Sequence, residues 1–348
     1  MSPYILIIIS TSLLMGTSLT LLSNHWLMAW MGLEINTLAV IPMMTYPNHP
    51  RSTESAIKYF LTQATASMLI MFAITYNAWM TNQWTLSQIS NNSASILMTL
   101  ALAIKLGLAP FHFWVPEVAQ GITLSSGMIL LTWQKIAPTS LLYQISPSLN
   151  MNILITLAIA STLLGGWGGL NQTHMRKILA YSSIAHMGWM TIIALINPSM
   201  TLLNLSIYII MTLTMFITLN STTITKIKSI TNLWNKSTSM TIIIFLTLLS
   251  LGGLPPLTGF MPKWLILQEL VTNNNQITAT LMALSALLNL FFYMRIIYAS
   301  TLTMYPSSNN SKLQWPHHQS KPTNLIPSLT TISSLLLPLS PLSLTMFN

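Results

Sequence analysis

The chain has 348 residues, of which 52% are hydrophobic and only 5% are charged, and its formal net charge is +9. About a quarter of the residues of a soluble domain are charged, so this composition predicts an integral membrane protein. The basic residues form no patch interleaved with aromatic side chains, which argues against nucleic-acid binding. The lack of cysteine excludes disulfides and thiolate-bound iron–sulfur clusters on this chain.

Apolar stretches long enough to cross about 30 Å of hydrocarbon predict transmembrane helices, because lipid offers no partner to unpaired backbone groups. The first stretch begins near Met1 with no basic segment and no cleavage site, so we expect no removable signal peptide. The predicted fold is all-α with about eleven spans, at residues 3–22, 25–45, 59–80, 95–116, 123–144, 149–170, 177–196, 199–224, 239–270, 276–299 and 324–346.

Basic residues are confined to alternate loops, which supports an odd number of spans. The loops at 22–25, 81–94, 145–148, 197–198 and 271–275 contain no lysine or arginine. The positive-inside rule places the basic loops on the cytoplasmic or matrix side, so the N-terminus is expected inside and the C-terminus outside. The residues on the basic side are Arg51, Lys58, Arg176, Lys177, Lys226, Lys228, Lys236, Lys312 and Lys321, with Arg295 at its boundary.

Glycine and proline interrupt the fourth and the ninth span at matching positions. Pro110 and Pro116 align with Pro256 and Pro262 at an offset of 146 residues. Matched broken helices in two inverted halves indicate a transport site near the midplane, although proline and glycine are also common in membrane helices generally. The predicted organisation is a first five-helix repeat at 1–145, a second, inverted repeat at 149–300, and a polar loop with a final helix at 301–348.

Three lysines and one glutamate lie deep inside the apolar stretches. A charge at the centre of a membrane span costs about 2.5–3.5 kcal/mol on insertion scales, so Lys105, Lys135 and Lys263 suggest proton, ion or solute transport. Glu34 is the natural partner of Lys105, and a purely structural ion pair is the alternative. Lys135 has no acid nearby in the sequence, which suits a proton carrier better than a side chain that snorkels to the interface.

Other polar residues are candidates for supporting roles. His112 in the first interruption and His186 in a later span could relay protons, or could be histidines satisfied within the core. Glu117, which aligns with Lys263, lies near the end of its helix that faces the basic loops. A role at the membrane interface is therefore as reasonable for it as a role in transport. No second histidine or carboxylate lies at ligand spacing from His112 or His186 within the same helix, so we expect no metal site. We find no dinucleotide-binding or Walker motif and expect no cofactor on this chain.

Two segments resemble the antiporter-like proton-translocating subunits found in the membrane arm of respiratory complex I. They run from Lys105 to Glu117 (KLGLAPFHFWVPE) and from Arg176 to Gly188 (RKILAYSSIAHMG), and Glu34 in its GLE context matches the buried acid of that family. The similarity extends through essentially the whole chain. Longer members have about three more N-terminal helices, so a partner subunit is expected to cover the exposed flank of the first repeat.

The resemblance implies a role for each buried group. Glu34 and Lys105 would form a coupling ion pair, Lys135 would be the central proton carrier, and Lys263 would lie on the exit side. The chain would belong to the mitochondrial inner membrane and bind lipids and other membrane-arm subunits, without binding NADH directly. NADH, FMN, iron–sulfur clusters and ubiquinone would bind other subunits. A stand-alone cation/proton antiporter component and a structural scaffold are the competing hypotheses.

Overall fold

The computed structural model describes residues 2–46, 48–86, 89, 91–234, 237–303 and 325–340. Most of the predicted polar loop and the end of the last predicted span lie outside these residues. Within them the protein is all-helical, with two isolated β-bridges and no strand. The α-helices are α1 (Pro3–Leu22), α2 (Trp26–Thr45), α3 (Pro50–Thr81), α4 (Asn92–Leu106), α5 (Trp114–Gly121), α6 (Leu124–Leu131), α7 (Trp133–Ile145), α8 (Met151–Gly169), α9 (Met175–Ile193), α10 (Pro198–Thr222), α11 (Ile227–Leu233), α12 (Thr238–Gly252), α13 (Phe260–Thr272), α14 (Gln276–Leu302) and α15 (Leu325–Leu335).

By length and composition, six helices of the described part are suited to crossing a membrane on their own: α1, α2, α3, α8, α10 and α14. Their positions confirm the predicted apolar spans there, except that α3 begins nine residues before the predicted residue 59. His49 and Ser52 form a capping box around Pro50 and so fix the earlier start. The total of about eleven spans and the inverted repeat stay predictions.

Both predicted helix interruptions are present. α4 ends at Gly107 and α12 ends at Gly253, and each glycine adopts a left-handed conformation, with φ of 71° and 79°. The next residue closes the helix end in the same way, because Leu108 N–H donates to Ala103 and Leu254 N–H donates to Leu249. Glycine takes this conformation without a Cβ penalty, so the two matched glycines explain why the predicted spans 95–116 and 239–270 each form two helices.

The predicted span 123–144 is also two helices, α6 and α7, which the sequence did not suggest. Thr132 separates them with φ −112° and ψ −73°. Pro138 follows within α7 and removes one helical hydrogen bond. The second half of this span therefore carries Lys135 on a helix that is not a straight continuation of the first.

Loops that were grouped by charge also lie together in the structure. On the uncharged end, His25 pairs with Thr85, and Asn150 donates to the Asn92 side chain at 2.8 Å. On the other end, His174 pairs with Lys226 in a second isolated bridge. Partial burial, followed by the charges of Lys226, Arg176, Lys177 and Arg51, lowers the pKa of His174. These contacts place two sets of alternate loops at two separate ends of the bundle.

Small residues let α8 and α9 approach closely. A Cβ on Gly165 would lie 2.9 Å from the backbone nitrogen of Ala185, and one on Gly188 would lie 2.8 Å from the carbonyl oxygen of Ala158. Helices in lipid gain association energy from such backbone proximity, because water does not drive them together. The close packing of α8 against α9 therefore requires glycine, which has no side chain, at positions 165 and 188.

We expect Gly188→Ala to lower the stability of the bundle by about 1–3 kcal/mol, the usual cost of overpacking. Gly127→Ala is the matched control, because its Cβ would meet its nearest neighbour, Phe216, at an ordinary 3.5 Å. The measurement is the thermal unfolding midpoint of the detergent-solubilised assembly. Equal midpoints for the two variants would contradict the close packing.

Candidate functional site

Lys135 projects from α7 onto the end of α4. Its Nζ donates to the carbonyl oxygen of Leu106 at 2.5 Å, and its side chain is buried. The last carbonyls of a helix have no intrahelical donor and carry partial negative charge, so an ammonium group there satisfies one and complements the helix dipole. The Nζ also lies 5.8 Å from the centroid of the Trp114 ring, within the range of a cation–π interaction.

Lys263 makes the corresponding contact at the end of α12. Its Nζ donates to Gly252 O at 2.8 Å and lies 3.4 Å from Leu251 O. A Cβ on Gly253 would lie only 2.8 Å from the same nitrogen, so the glycine both turns the chain and leaves room for the amine. Two buried lysines thus occupy the carbonyl ends of the two helices that stop inside the bundle.

Lys105 is different, because its buried Nζ has no hydrogen-bond partner in the described part of the protein. Glu34 acts on it electrostatically, but the two do not form a salt bridge, and the Glu34 carboxylate accepts from the Thr37 hydroxyl at 3.1 Å. The ion pairs of the described residues are those of Lys58 with Glu54 and Glu117. The expected Glu34–Lys105 pair is therefore open in this structure.

A small polar cavity lies between Lys105 and Lys135, and both lysines line it. The cavity volume available to the centre of a water molecule is about 20 Å³, which is enough for one ordered water. A water here could join two amines that make no direct contact. The other polar residues of the lining are Asn36, Thr37, Tyr59, Gln63 and Gln134.

His186 belongs to the Lys263 end of the site. Its imidazole hydrogen-bonds the backbone of Leu251, which Lys263 also approaches, and it lies within electrostatic range of that lysine. On its other side the ring lies 5.3 Å from the Tyr208 ring. The structure therefore brings His186 and Lys263 together, which their separation in the sequence does not show.

His112 and Glu117 lie elsewhere. His112 is buried in the loop between α4 and α5, where its ring lies 4.3 Å from Phe113 and 6.4 Å from Tyr181. It does not line the cavity between the lysines. Glu117 is half exposed and pairs with Lys58 at 2.8 Å, which agrees with the interfacial alternative for this residue.

Sequence reasoning missed Tyr208 and Gln134. Tyr208 is fully buried and donates to Leu131 O at 3.0 Å, and Gln134 donates to Asn36 O at 3.0 Å. The one local feature of the sequence that pointed to an irregular helix here was Pro138, which lies near Gln134 and Lys135 in α7. In the described residues no three histidine, cysteine, aspartate or glutamate side chains lie together as metal ligands.

Apolar helices, two of them interrupted at left-handed glycines, define an all-helical membrane protein of the antiporter-like class. The family described as NADH:quinone oxidoreductase/Mrp antiporter, TM, matches residues 23–289, and NADH dehydrogenase subunit 2 C-terminus matches residues 290–344. Full-length relatives agree, and the chain belongs to the NADH-ubiquinone oxidoreductase chain 2 family.

Among these relatives, chain 2 of Osphranter robustus is 80% identical over 99% of each chain. Chain 2 of Didelphis virginiana is 69% identical over 99% of this chain and all of its own, and chain 2 of Bos taurus is 57% identical over 98% and 99%.

Solved structures share the fold. A chain of respiratory complex I from Thermus thermophilus superposes with a TM-score of 0.80 at 25% identity, covering 95% of this chain and 78% of its own. A chain of the Mrp complex from Dietzia superposes with a TM-score of 0.79 over 95% and 74% of the two chains, and its 15% identity shows the fold alone.

We expect a high-resolution map of the assembled complex to show one ordered water in the Lys105–Lys135 cavity, about 3 Å from the Lys105 Nζ. The reason is that the amine otherwise lacks a partner. The internal control is a smaller cavity with a mainly apolar surface, which should stay dry. It is lined by Leu106, Leu142, Met187, Met190, Leu202 and Leu205, together with Thr139, Thr191 and Thr201. An empty polar cavity, in a map that resolves other buried waters, is the contrary result.

Proposed function

We propose that this chain translocates protons as a membrane-arm subunit of NADH:ubiquinone oxidoreductase. The observation that carries the proposal is the placement of two buried amines, Lys135 and Lys263, on the carbonyl ends of two interrupted helices. Each amine meets two opposing effects, because desolvation disfavours the ammonium form and the helix end favours it. A group balanced in this way can gain or lose a proton when its surroundings shift slightly.

The magnitudes are suited to this task. Moving one charge across 100 mV needs about 2.3 kcal/mol, and a favourable, partly buried helix terminus contributes up to about 2 kcal/mol to a cation. Breaking or forming one lysine–carbonyl contact therefore changes the proton affinity by an amount comparable to the work of pumping. No large rearrangement of the bundle is needed.

The open Glu34–Lys105 pair supplies a means of control. When the carboxylate approaches Lys105, part of that positive charge is neutralised, and the repulsion across the cavity on Lys135 falls. When the pair opens, the repulsion returns and favours proton release from Lys135. His186, next to Lys263, continues the series of titratable groups towards the second interruption.

The driving energy comes from other subunits in this proposal. NADH oxidation and ubiquinone reduction, with FMN and iron–sulfur clusters, take place there, and this chain has no redox centre of its own. The relatives at 57–80% identity are named as oxidoreductase chains, whereas the Mrp chain shares only the fold. That contrast favours an oxidoreductase subunit over a stand-alone antiporter.

The setting proposed is the mitochondrial inner membrane, with lipids and other membrane-arm subunits around the bundle. The end that carries Arg51, Arg176, Lys177 and Lys226 faces the matrix, with the N-terminus, because basic loops remain inside. The C-terminus lies on the intermembrane-space side. The two five-helix repeats at 1–145 and 149–300, with the final helix after them, remain part of the proposal.

We expect Lys135→Met to reduce coupled proton pumping in the reconstituted complex by about tenfold, equivalent to about 1.4 kcal/mol in the barrier. Methionine keeps much of the volume but cannot carry a proton. Lys228→Met, on an exposed lysine at the basic end, is the control for loss of one charge. Proton uptake per NADH oxidised is the measurement. Normal pumping by an assembled Lys135→Met complex would contradict the proposal and favour the scaffold hypothesis.

The orientation can be tested by cysteine labelling, because this chain has no cysteine. We expect Lys228→Cys to react with a membrane-impermeant maleimide from the matrix face, in inside-out vesicles. Asn273→Cys, in an exposed loop without charge, should react only from the opposite face, in mitoplasts. Mass spectrometry of this chain identifies the labelled peptide, and a reversed pattern contradicts the proposed topology.

A further inference from the structure

The helix interruption in front of Lys135 leaves the Leu131 carbonyl without its helical donor. In a continuous α-helix the Leu131 carbonyl would accept from the Lys135 N–H, four residues later. Here the Lys135 N–H donates to Thr132 O instead, at 3.2 Å. Leu131 is completely buried, so its carbonyl oxygen needs a donor from another part of the protein.

Tyr208 supplies that donor. Its hydroxyl, carried by α10, donates to Leu131 O at 3.0 Å, and the tyrosine side chain is fully buried. The hydroxyl thus replaces the bond that Lys135 would make in a regular helix. The interruption is stabilised by a tertiary contact rather than by a glycine.

The other contacts of Tyr208 lead to the second lysine. Its ring lies 5.3 Å from the His186 ring at an interplanar angle of 41°, and its hydroxyl also interacts with Ser183. His186 hydrogen-bonds the backbone at the end of α12, next to Lys263. Tyr208 therefore contacts both the end of α6, which immediately precedes the helix that carries Lys135, and His186, the group next to Lys263.

We propose that Tyr208 is a positioning residue for proton transfer, whose hydroxyl holds the α6–α7 interruption open and so directs the Lys135 amine onto the Leu106 carbonyl. This inference rests on the proposed function. Without the hydroxyl, the Leu131 carbonyl regains the Lys135 N–H as its donor, and α6 and α7 join into one helix. The Lys135 side chain then turns about the helix axis and leaves the end of α4.

Tyr208→Phe tests this, because it removes one hydroxyl and keeps the ring against His186. Tyr143→Phe, on a partly exposed tyrosine of α7, is the matched control for loss of a hydroxyl. We expect Tyr208→Phe complex to assemble and to pump several-fold fewer protons per NADH oxidised, whereas Tyr143→Phe pumps normally. A density map of Tyr208→Phe should show the Lys135 Nζ displaced from Leu106 O.

The pH profile of pumping separates positioning from a general loss of stability. The titratable groups that share the cavity with Lys135 are Lys105 and Tyr59, with Tyr208 behind the interruption. When the Lys135 amine leaves the Leu106 carbonyl, it loses a contact that favours its ammonium form. Lys135 then gives up its proton at a lower pH. The profile of Tyr208→Phe should therefore shift to lower pH, which a merely loosened core would not produce.

Normal pumping by Tyr208→Phe, or an unchanged Lys135–Leu106 contact in its map, overturns the inference while an impaired Lys135→Met keeps the proposed function. Normal pumping by Lys135→Met itself overturns the function. If Tyr208→Phe complex does not assemble, maps of the unmodified complex at rest and during turnover decide instead. The Tyr208–Leu131 and Lys135–Leu106 bonds should form and break together, and a change in one without the other rejects the inference.

Discussion

The site depends on one constraint, which is that a helix ending inside a membrane must find donors for its last carbonyls. Lipid provides none, and each unpaired group there costs several kcal/mol. At the ends of α4 and α12 one donor is a lysine amine, from Lys135 and Lys263 respectively. The same contact satisfies the backbone carbonyl and stabilises the amine in its buried position. Fold and chemistry thus require the same hydrogen bond.

Local chemistry made part of this arrangement predictable. The two main interruptions follow from Gly107 and Gly253, because only glycine adopts the left-handed turn without strain, and both interruptions lie where they were predicted. The buried position of the three lysines was equally evident, since charge is so rare in the apolar runs. What the sequence specified was the location of the helix breaks and of the unusual residues within them.

Tertiary contacts decided the rest. The split at Thr132 has no glycine at the break, and the hydroxyl that bonds the Leu131 carbonyl there belongs to Tyr208, 77 residues away in the sequence. The open Glu34–Lys105 pair could not be predicted from spacing either, because the Glu34 carboxylate accepts instead from the Thr37 hydroxyl of its own helix. The roles given to these residues by family resemblance stay predictions.

The two lysine contacts differ in how they respond to movement. Lys263 and Gly252 are 11 residues apart on either side of one interruption, so a rigid shift of the surrounding helices leaves their bond largely unchanged. Lys135 and Leu106 are 29 residues apart on separate elements, and any sliding of α7 against α4 stretches the contact. A charge change at Lys105, on the last turn of α4, acts directly at that junction. Conformational control is therefore best exerted at Lys135, whereas the Lys263 contact provides a more constant environment for its amine.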